Sequence, residues 1–380
     1  MPGRIPRRIA GENRHIVSGQ RGGGSKDAWV LSDAPVDTLL PFDLRSTVRD
    51  SGHYEERATS SRAAEHLFWL GRYAERSENC ARLLRTVLTR LTDPDDFTGM
   101  LRTVTLRACR EQELIPDDVL TRENVSLERV LIDGMLSVQD RLSLAFNIAQ
   151  ALRVAGAVRD RLSSDNWRVL NRLYQSVAAP SPDRVDLDQA LELIDEAIVS
   201  LVAVGGLEMA HMTRDHGWRF LSMGRHLERL SFVSTSLDLV ATSGAVNDPA
   251  VLEWLLDLSD SLITYRTRHR HAPEWQGVMD LLFFDALNPR SGLFQLKKLG
   301  KHVLLLPGAD HGEMTGTITS INRLLDHCRP PQTWDDPHQQ TLPLSDLLKG
   351  GRDVAFQLSD ALTLRYFSHI YERPQATRAL

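Results

Sequence analysis

Two heptapeptides hold the residues best suited to chemistry. "LGRYAER" at 70–76 recurs as "MGRHLER" at 223–229, so Gly71, Arg72, Glu75 and Arg76 correspond to Gly224, Arg225, Glu228 and Arg229. Guanidinium groups grip carboxylates and phosphates through paired N–H donors. A carboxyl group beside them can move a proton. Arg72, Arg76, Arg225 and Arg229, with Arg214 and Trp218 just upstream of the second copy, are therefore candidates for binding an anionic substrate. Glu65, Glu75 and Glu228 are the candidate acid–base groups.

A helical wheel of residues 60–90 gathers Glu65, Arg72, Arg76 and Asn79 on one side, edged by Phe68, Trp69 and Leu83. Aromatic edges indicate that this charged face is itself covered, and covered charges need partners. Three readings stay open: an intramolecular Arg–Glu network joining two halves of a bundle, a polar pocket for a carboxylate or phosphate, or a solvated face with incidental aromatics.

Other clusters are weaker. "YRTRHRH" at 265–271 offers Tyr265 and Arg266 as a second anion site, although a solvated basic helix end explains it equally well. Glu208 and His211 have the Glu-x-x-His spacing of di-iron bundles, but the helical segments hold no second such pair, so no metal is expected. Gly22, Gly23 and Gly24 followed by Ser25 and Lys26 could wrap a phosphate, yet the spacing is not that of a Walker A loop. No Gly-x-Ser-x-Gly motif occurs.

The elements that must position these groups are helical. Residues 60–91 carry Leu67, Leu70, Ala74, Ser77, Ala81, Leu84 and Leu88 in alternating three–four spacing. Ser61 is the expected N-cap, and "TDPDD" ends the run. Similar patterns occupy about 98–112, 126–162, 164–178, 186–211, 214–242, 249–269, 274–287, 291–305, 313–328 and 350–370. Asp186 and Gln189 form a capping-box pair. Before residue 60, only "HIV" at 15–17 and "AWVL" at 28–31 are β-like. The expected class is all-α: a multi-helix bundle of long helices with a short, irregular N-terminal tail. Glycine inside a helix costs about 1 kcal/mol relative to alanine. Gly71 and Gly224 at one offset therefore point to close helix–helix approach, whether the echo is a duplication or a coincidence.

Composition bounds the partners. The 380 residues are 42% hydrophobic and 25% charged, with a formal net charge of −5, which argues against a nucleic-acid binder. The longest near-apolar stretch, from Ala197, is about half a bilayer span, so no membrane partner is expected. Cys80, Cys109 and Cys328 show no CxxC pairing, which suits a reducing cytoplasm. The covered charged face leaves a homo-oligomer open.

Several stretches resemble the bacterial alpha-E domain family: "SSRAAEHLFWLGRYAERSENCARLL", "VRDRLSSDNWRVLN" (158–171), "MTRDHGWRFLSMGRHLER" (212–229) and "LITYRTRHRHAPEWQGVMDLLFFDALNPRSGLFQL" (262–296). They come in the family's order across most of residues 60–380. Residues 1–33 are similar to the C-terminal tail of a circularly permuted ATP-grasp domain. The resemblance implies an ATP-grasp remnant at 1–42, a linker at 43–59 and an alpha-E domain at 60–380. It implies a helical partner of a permuted ATP-grasp amide ligase in peptide synthesis or modification, with a transglutaminase-like protein nearby and a peptide or amine substrate. An independent acid–base enzyme of the same pathway and a purely structural module are the alternatives. ATP and Mg²⁺ would serve the ligase, with no cofactor for this chain alone. Gly22, Gly23, Gly24 and Lys26 would contact nucleotide only alongside a complete ATP-grasp body. Two departures stand out. Pro2-Gly3-Arg4 replaces the tail's Pro-Gly-Gly, and Ala210-His211 precedes Met212 where the family pattern has Glu-Asn.

Overall fold

Ser60 accepts a hydrogen bond from the Ala63 amide and opens helix α1, Ser61–Leu91, so the cap falls one residue before the expected Ser61. The computed structural model describes residues 7–8, 24–25, 59–93, 97–116, 126–139, 143–180, 184–308, 313–328 and 343–367. The chain divides into two units, Met1–Glu56 and Arg57–Leu380.

In the first unit, β1 (Arg7–Arg8) pairs antiparallel with β2 (Gly24–Ser25), Arg7 opposite Ser25. Gly24 thus lies in a two-residue strand. Gly22, Gly23, Lys26 and the β-like pieces at 15–17 and 28–31 lie outside the described residues.

Among its described residues, the second unit's regular elements are all helical. After α1 come α2 (Gly99–Glu111), α3 (Leu127–Leu136), α4 (Leu144–Ala157), α5 (Ser164–Ala178), α6 (Leu187–His211) and α7 (His216–Thr242). Then follow α8 (Pro249–Leu258), α9 (Leu262–Arg268), α10 (Trp275–Met279), α11 (Gly292–Leu304), α12 (Glu313–His327) and α13 (Leu344–Leu362). A π turn continues α10 through Phe284, and another continues α13 through Phe367.

Two expected long helices are divided. The 126–162 segment breaks where Ser137 turns extended, and Ser143 caps α4. The 249–269 segment breaks at Asp260, whose φ of 51° closes α8, while the Ser261 amide donates to Leu256 O. Aspartate tolerates this left-handed conformation better than most residues. The last helix begins earlier than expected, at Leu344. The Asp186–Gln189 capping box is present in both directions at the start of α6.

Helix α1 is the axis of the bundle. Its aliphatic seam is buried against α4 and α6, and the opposite side packs on α7. Two sets of neighbours therefore enclose a helix that carries six arginines and three glutamates between Ser61 and Leu91.

The α1–α7 crossing is unusually close and nearly symmetric. A methyl placed on Gly71 would lie 2.1 Å from Leu221 O, and one on Gly224 would lie 2.1 Å from Phe68 O. Leu221 and Phe68 are equivalent in the register that lays Gly71 on Gly224, so the repeats face each other about a local two-fold axis. Only glycine permits backbones to approach like this.

Gly71→Ala and Gly224→Ala are each expected to destabilise the bundle by at least the roughly 1–3 kcal/mol of an overpacked core. Gly206→Ala, on α6 with nothing within 4 Å of the added carbon, is expected to stabilise by up to about 1 kcal/mol. Urea unfolding of the three variants checks this. Equal effects would contradict the close crossing.

Candidate functional site

Because the two repeats meet face to face, each glutamate sits opposite the other helix's arginines. Glu228 Oε1 accepts from Arg72 Nε at 2.6 Å and from Arg76 Nη2 at 2.6 Å. Across the axis, Glu75 accepts from Arg229 Nε and Nη2, each at 2.6 Å, while Arg225 lies 3.8 Å away. Glu75 is fully buried, and the Glu228 side chain is 12% exposed. Burial works against ionisation of Glu228, but Arg72 and Arg76 more than offset it and hold its carboxyl below the ordinary value. Both glutamates are thus committed to ion pairs.

The loop before α11 extends the network. Asn288 donates to Leu281 O at 2.9 Å and accepts from the Arg290 amide at 3.0 Å. The Arg290 side chain then reaches Glu78 at 2.6 Å. Arg82 holds the same carboxylate from one turn away and also pairs with Asp260 at 3.2 Å. Burial opposes the Glu78 charge, and Arg290, Arg229 and Arg82 overcome it, lowering its pKa to about 2.

The near-symmetry ends beside the crossing. Trp69 and Tyr73 of α1 correspond in register to Ser222 and His226 of α7. Their rings stack 5.5 Å apart, and Arg72 lies over Trp69 and donates to Ser359 of α13. On α7 the smaller pair leaves a cleft of about 650 Å³ between α6, α7 and α11. Seven cations line it: Arg214, Arg219, Arg225, Arg229, Arg290, Lys298 and Lys301. Only two carboxylates, Glu78 and Glu208, are among the lining residues. Val202, Met209, Trp218 and Phe294 supply apolar wall.

Several of these groups are engaged. Arg225 donates to Glu208 Oε2 at 2.5 Å, Arg214 lies over the Trp218 ring, and Lys298 over Phe294. Among the described residues, no carboxylate pairs with Arg219, Lys298 or Lys301, and Arg219 Nε is buried with no hydrogen-bond partner. Glu208 Oε1 is also buried and unpartnered. Burial raises the Glu208 pKa despite the Arg225 charge. His302 donates to or accepts from Ser222 at 3.1 Å and meets the edge of Trp218, leaving its Nδ1 without a partner.

Of the sequence candidates, Arg214, Trp218, Arg225 and Arg229 line this cleft. Arg72, Arg76, Glu75 and Glu228 belong to the crossing beneath it. Glu65 is half-buried near the start of α1 and is not among the cleft's residues. Tyr265 is buried elsewhere, accepting from the Glu274 amide and stacking on His269, and Arg266 is exposed and paired with Glu253. The cleft's Arg219, Lys298, Lys301 and His302 escaped the sequence reading. The available signal was "LKKLGKH" at 296–302, with Lys298 and Lys301 on one helical face.

No group of three or more metal-ligating side chains occurs among the described residues, and none of their helices is long and apolar enough to cross a membrane. The three cysteines are buried, and burial pushes Cys109 and Cys328 up to about 12 and Cys80 higher still, a poor setting for nucleophiles.

Removing one partner from a buried ion-pair network costs roughly 3–5 kcal/mol. Glu75→Gln is expected at the upper end of that range and the partly exposed Glu228→Gln below it, both measured by chemical unfolding.

Acid unfolding should proceed in two stages. Burial, reinforced by nearby cations, lowers His226 to about 3 and His302 to about 4 from an ordinary 6.5. Between those values the unfolded chain binds more protons. The stability these imidazoles contribute is therefore complete above pH 6.5 and declines as pH falls toward 4 for His302 and toward 3 for His226. The Glu78 contribution is complete above 4.5 and declines as pH falls toward 2. A His226→Asn/His302→Asn variant should lose only the upper stage, which urea titrations at successive pH values would reveal.

Comparison with known proteins places this geometry. A family described as "a predicted alpha-helical domain with a conserved ER motif" matches residues 60–367. In this chain, Glu75-Arg76 and Glu228-Arg229 put one Glu-Arg pair on each crossing helix. Uncharacterised proteins of Mycobacterium bovis and Mycobacterium tuberculosis are 29% identical over 305 residues, covering 75% of this chain and 34% of their own. The chain thus spans about a third of the length of these relatives. No solved structure matches it. With its helical unit matched almost end to end, the chain belongs to the Alpha-E family.

Proposed function

We propose that this chain is the helical accessory component of a circularly permuted ATP-grasp amide ligase system, holding an anionic group of the substrate or acceptor in the α6–α7–α11 cleft. The observation that carries the reading is the cleft's excess of cations over carboxylates, beside a crossing whose own charges are paired. A rigid scaffold with one open, positively charged cavity suits positioning, which speeds a two-substrate reaction by fixing the partners' approach. The likeness of residues 1–33 to an ATP-grasp tail supports the identity of the partner. Acting in peptide synthesis or modification, the ligase would supply ATP chemistry, and this chain would supply binding and orientation.

A second reading, acid–base catalysis within the bundle, is favoured by one observation. Glu208 combines a raised pKa with an unpartnered oxygen at the cleft, whereas Glu75 and Glu228 are held in ion pairs.

Reconstitution with the permuted ATP-grasp protein of the same genome tests both. The accessory reading expects co-elution, at least tenfold faster amide formation with this chain present, and loss of that gain in Ser222→Trp with co-elution retained. Abolition of turnover by Glu208→Gln, with substrate affinity and the folded state retained, would favour the enzymatic reading. No association and no acceleration would overturn the accessory reading.

A further inference from the structure

We propose that the occupant of this cleft is a phosphate-bearing small molecule with an apolar body, its phosphate held by Arg219, Lys298, Lys301 and His302 and its body lying against Met209 and Phe294. This deepens the reading of the cleft as an anion site and rests on it, but not on the identity of the ligase.

Charge is the first argument. Arg219, Lys298 and Lys301 have no carboxylate partner among the described residues, although Arg219 Nε is buried. A single carboxylate brings one charge and already has a counterpart in the cleft, where Glu208 engages Arg225. Three further cations converging on one region are better matched by a phosphomonoester, which carries about −1.5 to −2 charges and three acceptor oxygens at neutral pH.

The cations are also close enough to act together. Arg219, Lys298, Lys301 and Arg214 each depress the protonation of His302, adding to the effect of its burial. One imidazole therefore experiences all four positive charges. Its Nδ1 is buried and unpartnered while its other nitrogen is engaged with Ser222. That leaves a buried polar atom within the cationic lining that a ligand oxygen can satisfy.

Shape is the second argument. Val202 and Met209 are 50% and 59% exposed on the α6 lip, and Phe294 faces them from α11. An inorganic ion would leave this apolar surface in water. A ligand with an organic body would cover it, at a gain set by the area removed from solvent.

Isothermal titration of the whole chain at fixed ionic strength tests the proposal with phenyl phosphate, inorganic phosphate, benzoate and tricarballylate as probes. The expected order is phenyl phosphate tightest, inorganic phosphate at least threefold weaker, and benzoate weaker still. Lys298→Ala/Lys301→Ala, at positions outside the core, should weaken phenyl phosphate at least tenfold. Ser222→Trp, which restores the bulk found at Trp69, should abolish binding. In histidine NMR spectra the His302 titration midpoint should move upward when phenyl phosphate binds, because an anion offsets the surrounding cations. Tricarballylate binding as tightly as phenyl phosphate would overturn the phosphate assignment. Unchanged affinity in the double-lysine variant, or no binding by any probe, would overturn the site. Because the titration uses this chain alone, its failure is separable from failure to associate with a ligase.

Discussion

At the α1–α7 crossing, one methyl group on either glycine would lie 2.1 Å from a carbonyl oxygen of the other helix. That close approach is the constraint from which the rest follows. Backbones this near leave no room for side chains at the contact itself, so the residues flanking each glycine must reach across or turn outward. Residues four and five positions after each glycine, Glu75-Arg76 and Glu228-Arg229, reach across. The crossing thereby brings two carboxylates and four guanidiniums into a space from which water is largely excluded. Each carboxylate must then find cations, because an uncompensated buried charge would cost several kcal/mol.

A network of this kind is not the cheapest way to hold two helices together. Hydrophobic replacements of similar volume are often as stable or more so. What paired charges add here is register. Sliding α7 by one turn along α1 would separate Glu75 from Arg229 and Glu228 from Arg72 and Arg76 together. An apolar seam of leucines would tolerate the same slip with partial repacking. The glycine contact and the charge pairing therefore specify one alignment, each excluding slips that the other alone would permit.

Much of this was legible in the sequence, and the limits have physical causes. The three–four seam of α1 and the repeated Gly-Arg-x-x-Glu-Arg are periodic signals, and the aromatic edges of the charged face correctly pointed to a covered surface. Which charges pair, and which line a cavity, depends on the α1–α7 crossing, which no single helix encodes. Lys298 and Lys301 resemble any solvated helix face until α11 is laid across α7. Tyr265 and Arg266 shared the composition of an anion site, yet local partners, Glu274 and Glu253, account for them. Asp260 interrupts an apparently continuous helix with a left-handed turn, from which its carboxylate reaches Arg82. Propensity along one helix could not foresee that tertiary contact.

The departure from two-fold symmetry is where a scaffold acquires a site. On one side of the axis Trp69 and Tyr73 fill space, and Arg72 turns to Ser359. On the other, Ser222 and His226 do not fill it, and Arg225 turns to Glu208. Arg225 therefore belongs to both structures. One guanidinium nitrogen lies 3.8 Å from Glu75 in the buried network, and another is bound to Glu208 in the cleft wall. A cavity wall anchored to a register-fixing core is held in place before any ligand arrives. Binding there need not bear the ordering cost that a loop-built site incurs. The same linkage makes cleft geometry sensitive to substitutions at the crossing, even at positions no ligand could touch. Damage to Glu75 would then reach the cleft through Arg225, while damage to Lys298 would leave the crossing intact.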